Sequence, residues 1–216
     1  MKRAARIGVT GKLGSGKSTL MQQLAANGIH VLNTDQMARD IMVRDPLIRS
    51  EIERLAGTEV FTEDGEHGTT LNRQFLAAKL FKDRALRERL EAIVHPAVMR
   101  EVEREFRDAE PSTPVAVESA LILSSDLRQH FDYIVLVDAP DQAVLDRVRQ
   151  FGYLSEEDAS ARLAAQDYEH ANFDEIDITV ENTGNREEFE ERASTLALML
   201  KALAERDLPE EPLHSQ

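Results

Sequence analysis

Residues 10–19 read Thr-Gly-Lys-Leu-Gly-Ser-Gly-Lys-Ser-Thr, and residues 11–18 match the pattern G-x-x-x-x-G-K-[ST] at every position. An apolar run at 7–10 precedes the pattern, and a helix-like segment at 18–26 follows it. Strand, glycine-rich loop and helix in this order form a phosphate-binding loop. The alternative, a chance glycine-rich turn before a helix, is disfavoured because all three elements are in register. The stretch therefore predicts a binding site for a nucleoside triphosphate.

The phosphate-loop pattern predicts a role for each of its residues in nucleotide binding. The glycines let the backbone approach an oligophosphate, and the dipole of the following helix adds partial positive charge. We expect Lys17 to reach the β- and γ-phosphates of ATP and the Ser18 hydroxyl to bind Mg²⁺. The nucleotide is expected to contact most of the loop, namely Gly11, Leu13, Gly14, Ser15, Gly16, Lys17, Ser18 and Thr19.

Composition and net charge exclude several classes of protein and of binding site. The 216 residues are 42% hydrophobic and include no cysteine, which excludes disulfides and thiolate metal sites. No apolar run approaches the roughly 20 residues that cross a bilayer, and the basic N-terminus leads directly into the first strand. The net charge of −14 argues against nucleic-acid binding. We therefore expect a cytoplasmic protein with small-molecule partners, in which the cations near the phosphate site matter.

Apolar runs alternate with amphipathic stretches along the chain. We expect strands at 7–10, 30–32, 115–118, 133–138 and 176–180, helical stretches at 36–56, 72–109, 141–170 and 185–205, and a polar, turn-rich segment at 57–68. This alternation predicts an α/β fold with a mostly parallel five-stranded sheet flanked by helices. Ligands of such folds bind beyond the carboxyl ends of the strands, where the loop, Asp35, Glu118 and Asp138 occur.

The remaining sequence separates the classes of phosphate-loop protein. A GTPase would show a guanine-reading N-K-x-D element after a late strand, but Ala139-Pro140-Asp141-Gln142 follows the fourth strand. A large ATPase needs a longer chain. A compact small-molecule kinase therefore remains.

Further motifs give the chain a resemblance to the dephospho-CoA kinase family over about residues 7–200. Residues 90–96, Leu-Glu-Ala-Ile-Val-His-Pro, resemble the family's Leu-Glu-x-Ile-x-His-Pro signature. The other matching segments are Thr34–Arg39, Leu71–Arg73 with Leu80–Phe81, Ala161–Gln166, and the set Asp177, Asn182 and Gly184. Each match is short, but they occur in the family's order and at compatible spacing.

The resemblance implies an activity and an architecture. Such a kinase uses ATP to phosphorylate the ribose 3′-hydroxyl of dephospho-CoA, giving coenzyme A and ADP in the last step of coenzyme A biosynthesis. It implies one P-loop kinase domain over 1–206, with an acceptor-binding helical insertion at about 36–109 and a helical lid at about 141–170. An acidic tail, 207–216, follows. We expect a monomer or weak homo-oligomer that binds neither nucleic acid nor membrane.

Three residues are candidates for the acceptor site. Asp35 is expected to orient and deprotonate the acceptor hydroxyl, as the resemblance implies, and the alternative is a helix N-cap. Arg39 is expected to pair with an anionic part of the acceptor, and the alternative is a surface salt bridge with Asp35 or Asp40. The resemblance places His95 in the acceptor pocket in a binding role, and the alternative is a capping or core histidine. His95 precedes Pro96, which biases its backbone away from the helical region.

Two arginines are candidates for catalysis from the lid. Arg147 and Arg162 are expected to deliver positive charge to the transferring phosphoryl group, and the alternative for each is a surface ion pair. Glu118 and Asp138 are candidates for assisting Mg²⁺ through water.

Three departures from the family pattern leave other functions open. Residues 120–124 read Ala-Leu-Ile-Leu-Ser in place of Pro-Leu-Leu-Phe-Glu, Phe151 replaces a second lid arginine, and Asn172 replaces a basic residue. A P-loop kinase for another hydroxyl acceptor, a nucleoside or small metabolite, is one alternative. A non-catalytic ATP-binding regulator is the other.

Overall fold

The structure is a computed structural model that describes residues 3–64, 68–120, 122–124, 126–151, 155, 157, 159–160, 163 and 173–204. Its strands are β1 Arg6–Thr10, β2 His30–Asn33, β3 Phe61–Asp64, β4 Gly68–Leu71, β5 Val115–Glu118, β6 Tyr133–Asp138 and β7 Ile178–Glu181. Its helices are α1 Lys17–Ala26, α2 Thr34–Arg44, α3 Pro46–Ala56, α4 Arg73–Lys82, α5 Arg84–Asp108, α6 Asp141–Phe151 and α7 Arg186–Ala204. Within these described ranges, no helix is both long and apolar enough to span a bilayer.

The main sheet has five strands in the order β2-β5-β1-β6-β7. The pairs of β1 with β5, β1 with β6, and β6 with β7 are all parallel. At the far side, the His30 backbone N–H donates to the Pro114 carbonyl, so β2 begins beside the start of β5. The predicted α/β fold with a parallel five-stranded sheet flanked by helices is therefore confirmed.

Helices α1 and α7 cover one face of this sheet. They form a cluster with the apolar side chains of β1 and β6, in which Leu20, Leu24, Ala197 and Leu200 are completely buried. The spacing of four between Leu20 and Leu24 places both on the same face of α1. This packing holds the N-terminal end of α1 against the sheet, where the phosphate loop ends.

A partly buried ion pair ties the segment before β7 to β6. One carboxylate oxygen of Asp177 accepts hydrogen bonds from the Ile134 backbone N–H at 2.7 Å and from Arg128 Nη2 at 3.3 Å. Burial lowers the pKa of the Arg128 guanidinium, and the negative charge of Asp177 opposes that effect. Asp177, which the resemblance singled out, therefore contributes to the order of the sheet.

The chain divides into two compact units, Met1–Leu32 with Glu105–Gln216, and Asn33–Arg104. The second unit holds α2 to α5, apart from the last turn of α5, and the antiparallel β3–β4 hairpin. It contains most of the segment at 36–109 for which acceptor binding is predicted.

The second unit corrects three predictions about local structure. The helical stretch at 72–109 is two helices, α4 and α5, because the Asp83 carboxylate accepts from the Leu86 N–H and begins a new helix. The helical stretch at 36–56 is two helices, because the Asp45 carboxylate accepts from the Leu47 and Ile48 N–H groups and begins a new helix with Pro46 in its first turn. The turn-rich segment at 57–68 contains β3 and ends at the first residue of β4. These strands were missed because they are four residues long and mostly polar.

The predicted non-helical bias at His95 is wrong. α5 runs through Pro96 without interruption. Proline removes one backbone donor and crowds the preceding turn, which disfavours a helix locally. In α5 the buried row Leu90, Val94, Val98 and Val102, at a spacing of four, packs as one stripe, and this burial outweighs the local cost.

Candidate nucleotide and acceptor sites

The phosphate loop connects β1 directly to α1, as the sequence predicts. Gly11, Gly14 and Gly16 have φ angles of 150°, 67° and 110°, a region that L side chains rarely adopt. Gly16 also lies against the Asn182 amide and the Phe189 ring, so that a Cβ at this position would overlap both. The loop glycines and their close neighbours therefore hold the loop in one backbone conformation.

Lys17 folds back over the loop. Its ammonium donates to the carbonyl oxygens of Gly11 at 2.8 Å and Lys12 at 2.9 Å. The ammonium therefore lies at the loop itself. There the oxygens of a bound phosphate would replace the two carbonyl oxygens as its hydrogen-bond acceptors. Ser18, the next residue of α1, is exposed beside it.

Two side chains from other elements brace the loop. The buried Asn182 donates from its side-chain amide to the Ser15 carbonyl at 2.7 Å. Arg147, on α6, donates to the Gly14 carbonyl at 3.0 Å and to the Asn182 carbonyl at 2.8 Å. Arg147 thus contacts the loop directly, and its catalytic role stays a prediction.

A cavity of about 730 Å³ opens beside the loop. Its lining comes from three places: the loop with the start of α1, one face of α6, and the segment 182–189. Its volume lies within the range of roughly 300–1,000 Å³ that is typical of small-molecule sites. The position next to Gly14 and Gly16 suits the base and ribose of a nucleotide whose phosphates lie on the loop.

The donor set fits Mg²⁺ that arrives with a nucleotide. Among the residues whose placement the structure describes, no group of three or more His, Cys, Asp and Glu side chains could hold a metal ion. Mg²⁺ needs no such cage, since it keeps several waters and takes substrate phosphate oxygens with one or two protein ligands. Ser18 has an exposed hydroxyl next to Lys17, and its role as a Mg²⁺ ligand stays a prediction. Whether Glu118 or Asp138 assists stays a prediction.

Asp35 is exposed at the second position of α2. The helix is capped instead by Asn33, whose side-chain oxygen accepts from the Gln36 N–H at 2.9 Å. The alternative of an N-cap role for Asp35 is therefore wrong. Sequence reasoning assigned the cap to the wrong residue because Asn33 and Asp35 are both good capping types two positions apart.

Arg39 makes no ion pair with Asp35 or Asp40. Its Nε and Nη2 both contact the side-chain oxygen of Gln36, at 3.2 and 2.8 Å. The alternative of a surface salt bridge is thus also wrong, and the charge of Arg39 is not neutralised by a carboxylate of the described chain.

His95 lies half-buried in the middle of α5. Because it is far from either helix end, the alternative of a capping histidine is wrong. Within the described part of the chain its ring nitrogens have no hydrogen-bond partner, which leaves them available to a ligand.

The described residues only partly cover the predicted lid and the departures from the family pattern. Arg162, Gln166 and Asn172 lie outside them, and Phe151 is the last residue of α6. In the segment at 120–124, Ile122 and Leu123 are buried, so this part of the altered sequence serves the core.

Sequence reasoning missed two features of these sites. It quoted Asn182 for its resemblance alone, because only one residue of the preceding strand β7, Val180, is buried and no burial pattern marks the position. It also gave no role to Arg73, which follows the capping Asn72 at the start of α4.

Comparison with known proteins agrees with this geometry. The family model "Dephospho-CoA kinase" matches residues 5–188. A protein named dephospho-CoA kinase from Corynebacterium glutamicum is 34% identical, and the alignment covers 88% of this chain and 94% of that protein. Another of the same name, from Anaeromyxobacter dehalogenans, is 35% identical over 95% of this chain and 97% of its own length. The crystal structure of TT1252 from Thermus thermophilus is 32% identical, with a TM-score of 0.74 over 92% of this chain and 98% of that one. The chain belongs to the dephospho-CoA kinase family.

Proposed function

We propose that this chain transfers the γ-phosphoryl group of ATP to the ribose 3′-hydroxyl of dephospho-CoA, forming coenzyme A and ADP in the last step of coenzyme A biosynthesis. The observation that carries the proposal is the braced phosphate loop, with Lys17 and Ser18, beside the 730 Å³ cavity. Membership of the dephospho-CoA kinase family supplies the acceptor. The proposal keeps the expectation of a cytoplasmic monomer or weak homo-oligomer.

The nucleotide half of the reaction rests on the loop. The loop residues Gly11, Leu13, Gly14, Ser15, Gly16 and Thr19 surround the phosphates, and the Lys17 ammonium exchanges its carbonyl partners for phosphate oxygens. The Ser18 hydroxyl would hold Mg²⁺, which would supply positive charge to the phosphates. Arg147 and Arg162 add positive charge as the phosphoryl group moves.

The acceptor half rests on Asp35, with Arg39 and His95 as binding residues. Asp35 follows the carboxyl end of β2 by two residues, the kind of position at which ligands bind in open α/β sheets. In the transfer, the bond from the 3′-oxygen to the γ-phosphorus forms and the bond from that phosphorus to the ADP oxygen breaks. Asp35 takes the hydroxyl proton.

The decisive experiment measures ADP release from ATP and Mg²⁺ with and without dephospho-CoA. We expect release that depends on the acceptor, with coenzyme A as product. Asp35→Asn should lower kcat by about a hundredfold or more, since general-base catalysis contributes about 10²–10⁴. The KM for ATP should stay unchanged.

Asp83→Asn is the matched control. Asp83 caps α5 by accepting from the Leu86 N–H, and asparagine keeps that cap. Its activity should equal that of the unchanged chain. Binding of ATP without acceptor-dependent ADP would contradict the proposal and would favour another hydroxyl acceptor or a regulatory ATP-binding protein.

A further inference from the structure

Helices α3, α4 and α5 line a cavity of about 580 Å³ within the unit Asn33–Arg104. This volume lies within the roughly 300–1,000 Å³ that is typical of small-molecule sites. The lining combines five apolar residues with three cations and one carboxylate. We call it the α4–α5 cavity.

One wall of the α4–α5 cavity is apolar. Leu55, Phe75 and Leu86 are each half-buried, so that part of every one of these side chains stays exposed to the cavity. The alanines at 78 and 85 complete the wall, and their small side chains leave the space open. An apolar ligand in this space would remove the exposed surface from water, which favours binding.

The cations of the lining differ in how they are engaged. The Lys79 ammonium donates to the Ala56 carbonyl at 2.6 Å and lies 4.9 Å from the centre of the Phe75 ring. Lys82 and Arg89, by contrast, have neither a side-chain hydrogen bond nor an ion pair with any residue that the structure describes. Two cations beside the apolar wall are therefore available to a ligand.

The carboxylate of the lining does not neutralise these two cations. It belongs to Asp83, which accepts a hydrogen bond from the Leu86 N–H at 2.9 Å. The chain as a whole has a net charge of −14, yet no described carboxylate pairs with Lys82 or Arg89. Two positive charges that share one cavity attract an anion.

The α4–α5 cavity faces away from the predicted acceptor residue His95. Leu86 and His95 lie nine residues, or about two and a half turns, apart on the uninterrupted helix α5, so their side chains leave it on opposite sides. Lys82 and Arg73 have the same spacing on α4. A ligand of the cavity therefore occupies a different site from a ligand of His95.

We propose that the α4–α5 cavity binds an amphiphilic anion, which has an anionic head group on an unbranched apolar chain, as in a dissolved fatty carboxylate. The chain lies along Leu55, Phe75 and Leu86, and the head group lies between Lys82 and Arg89. A guanidinium donates two parallel hydrogen bonds to a carboxylate, and the ammonium adds a compact charge. The proposal goes beyond the proposed function and does not depend on it, since neither ATP nor dephospho-CoA takes part.

The first test titrates the unchanged chain calorimetrically with octanoate, decanoate and dodecanoate, without ATP. We expect Kd to fall about fourfold for each added methylene, the factor that corresponds to about 0.8 kcal/mol per buried CH₂. Decyltrimethylammonium, a decyl amphiphile of the opposite charge, should not bind. A failure of decanoate to bind, a Kd that is independent of chain length, or equal binding of the two decyl amphiphiles would overturn the proposal.

The second test removes the charges with Lys82→Gln, Arg89→Gln and the double variant. Each single change should raise the Kd for decanoate about threefold, as for ion pairs exposed to solvent, and the double change about tenfold. The dependence of Kd on NaCl should become flatter in the double variant. Arg87→Gln is the control, because Arg87 is an exposed arginine of α5 outside the lining that likewise has no side-chain partner in the described chain. An unchanged Kd in the double variant would contradict the assigned head-group site.

The third test fills the cavity with Ala85→Trp, a change at an exposed position that leaves the buried stripe of α5 intact. Decanoate binding should be lost while the melting temperature stays the same. Decanoate binding that persists in this variant would place the ligand elsewhere and overturn the proposal. Vesicles of phosphatidylglycerol offer the same chemistry from a membrane surface. Cosedimentation with these vesicles, in a chain that does not bind dissolved decanoate, would replace the cavity by a membrane contact.

Discussion

The side-chain amide of Asn182 donates a 2.7 Å hydrogen bond to the carbonyl oxygen of Ser15, joining two positions 167 residues apart in the chain. The Asn182 backbone N–H also donates to the Asp138 carbonyl at 2.7 Å, at the end of β6. Its carbonyl accepts from Arg147. One residue after β7 thus fixes the phosphate loop to the sheet and to α6, so that the loop is held in shape before a nucleotide arrives.

We therefore expect Asn182→Ala to weaken ATP binding. The change leaves the Ser15 carbonyl without its donor and frees the loop, so the Kd for ATP should rise about tenfold and the chain should lose about 1–3 kcal/mol of stability. Calorimetric titration with ATP and denaturant unfolding measure the two effects. Asn27→Ala removes a similar amide-to-carbonyl bond, to Gln23 at the end of α1, and should leave ATP binding intact. Equal affinities for both variants would contradict this role.

Gly16→Ala tests the contact between the loop and Asn182 by a change in the loop. A Cβ on Gly16 would overlap the Asn182 amide and lie 2.9 Å from a Phe189 ring carbon, at a φ of 110°. We expect no measurable ATP binding by titration, together with a lowered melting temperature.

Gly28→Ala separates backbone strain from overlap. Gly28 also has a positive φ, of 80°, but a Cβ there would meet only the end of the Lys201 side chain at 3.5 Å. This variant should lose some stability while keeping its affinity for ATP. If it lost ATP binding to the same extent, strain alone would explain the Gly16 result.

The sequence allowed the parallel sheet and the phosphate loop to be predicted because both depend on local patterns. A central parallel strand is buried on both faces, so β1 reads as a continuous apolar run, and the glycines mark the turn that follows it. The hairpin β3–β4 has no such pattern. Its four-residue strands are polar, and only their pairing with each other identifies them.

The contacts that complete the sites were beyond prediction for a different reason. Asn182 and Arg147 donate hydrogen bonds to backbone carbonyls of the loop. Every residue type has a backbone carbonyl, so the sequence does not show which carbonyl accepts such a bond. Pro96 shows the same limit, because its local preference is overruled by the buried stripe of α5. Spacing identifies which residues can act, whereas long-range packing decides what each one contacts.

Arg147→Gln tests whether this arginine also acts on the phosphates. The change removes the guanidinium hydrogen bonds to Gly14 and Asn182, and so should raise the KM for ATP by about tenfold. We expect kcat to fall as well, since a cation beside the loop stabilises the transition state. Arg192→Gln is the control, because Arg192 donates to the Glu181 carbonyl outside the nucleotide cavity. A change in KM with kcat unaltered would restrict Arg147 to bracing the loop.

Asp177→Asn should destabilise the chain without altering the reaction. The asparagine oxygen can still accept from the Ile134 N–H, but the largely buried Arg128 loses the charge of Asp177 and keeps that of Glu175. Removing one partner of a buried ion pair costs about 3–5 kcal/mol, and we expect about 2 kcal/mol here because the Asp177 side chain is 29% exposed. Urea unfolding measures the loss, and kinetics below the transition should match the unchanged chain. Glu190→Gln breaks only the exposed pair with Arg186 and should leave unfolding unaffected. Equal unfolding midpoints for both variants would show that burial of Arg128 does not need the charge of Asp177.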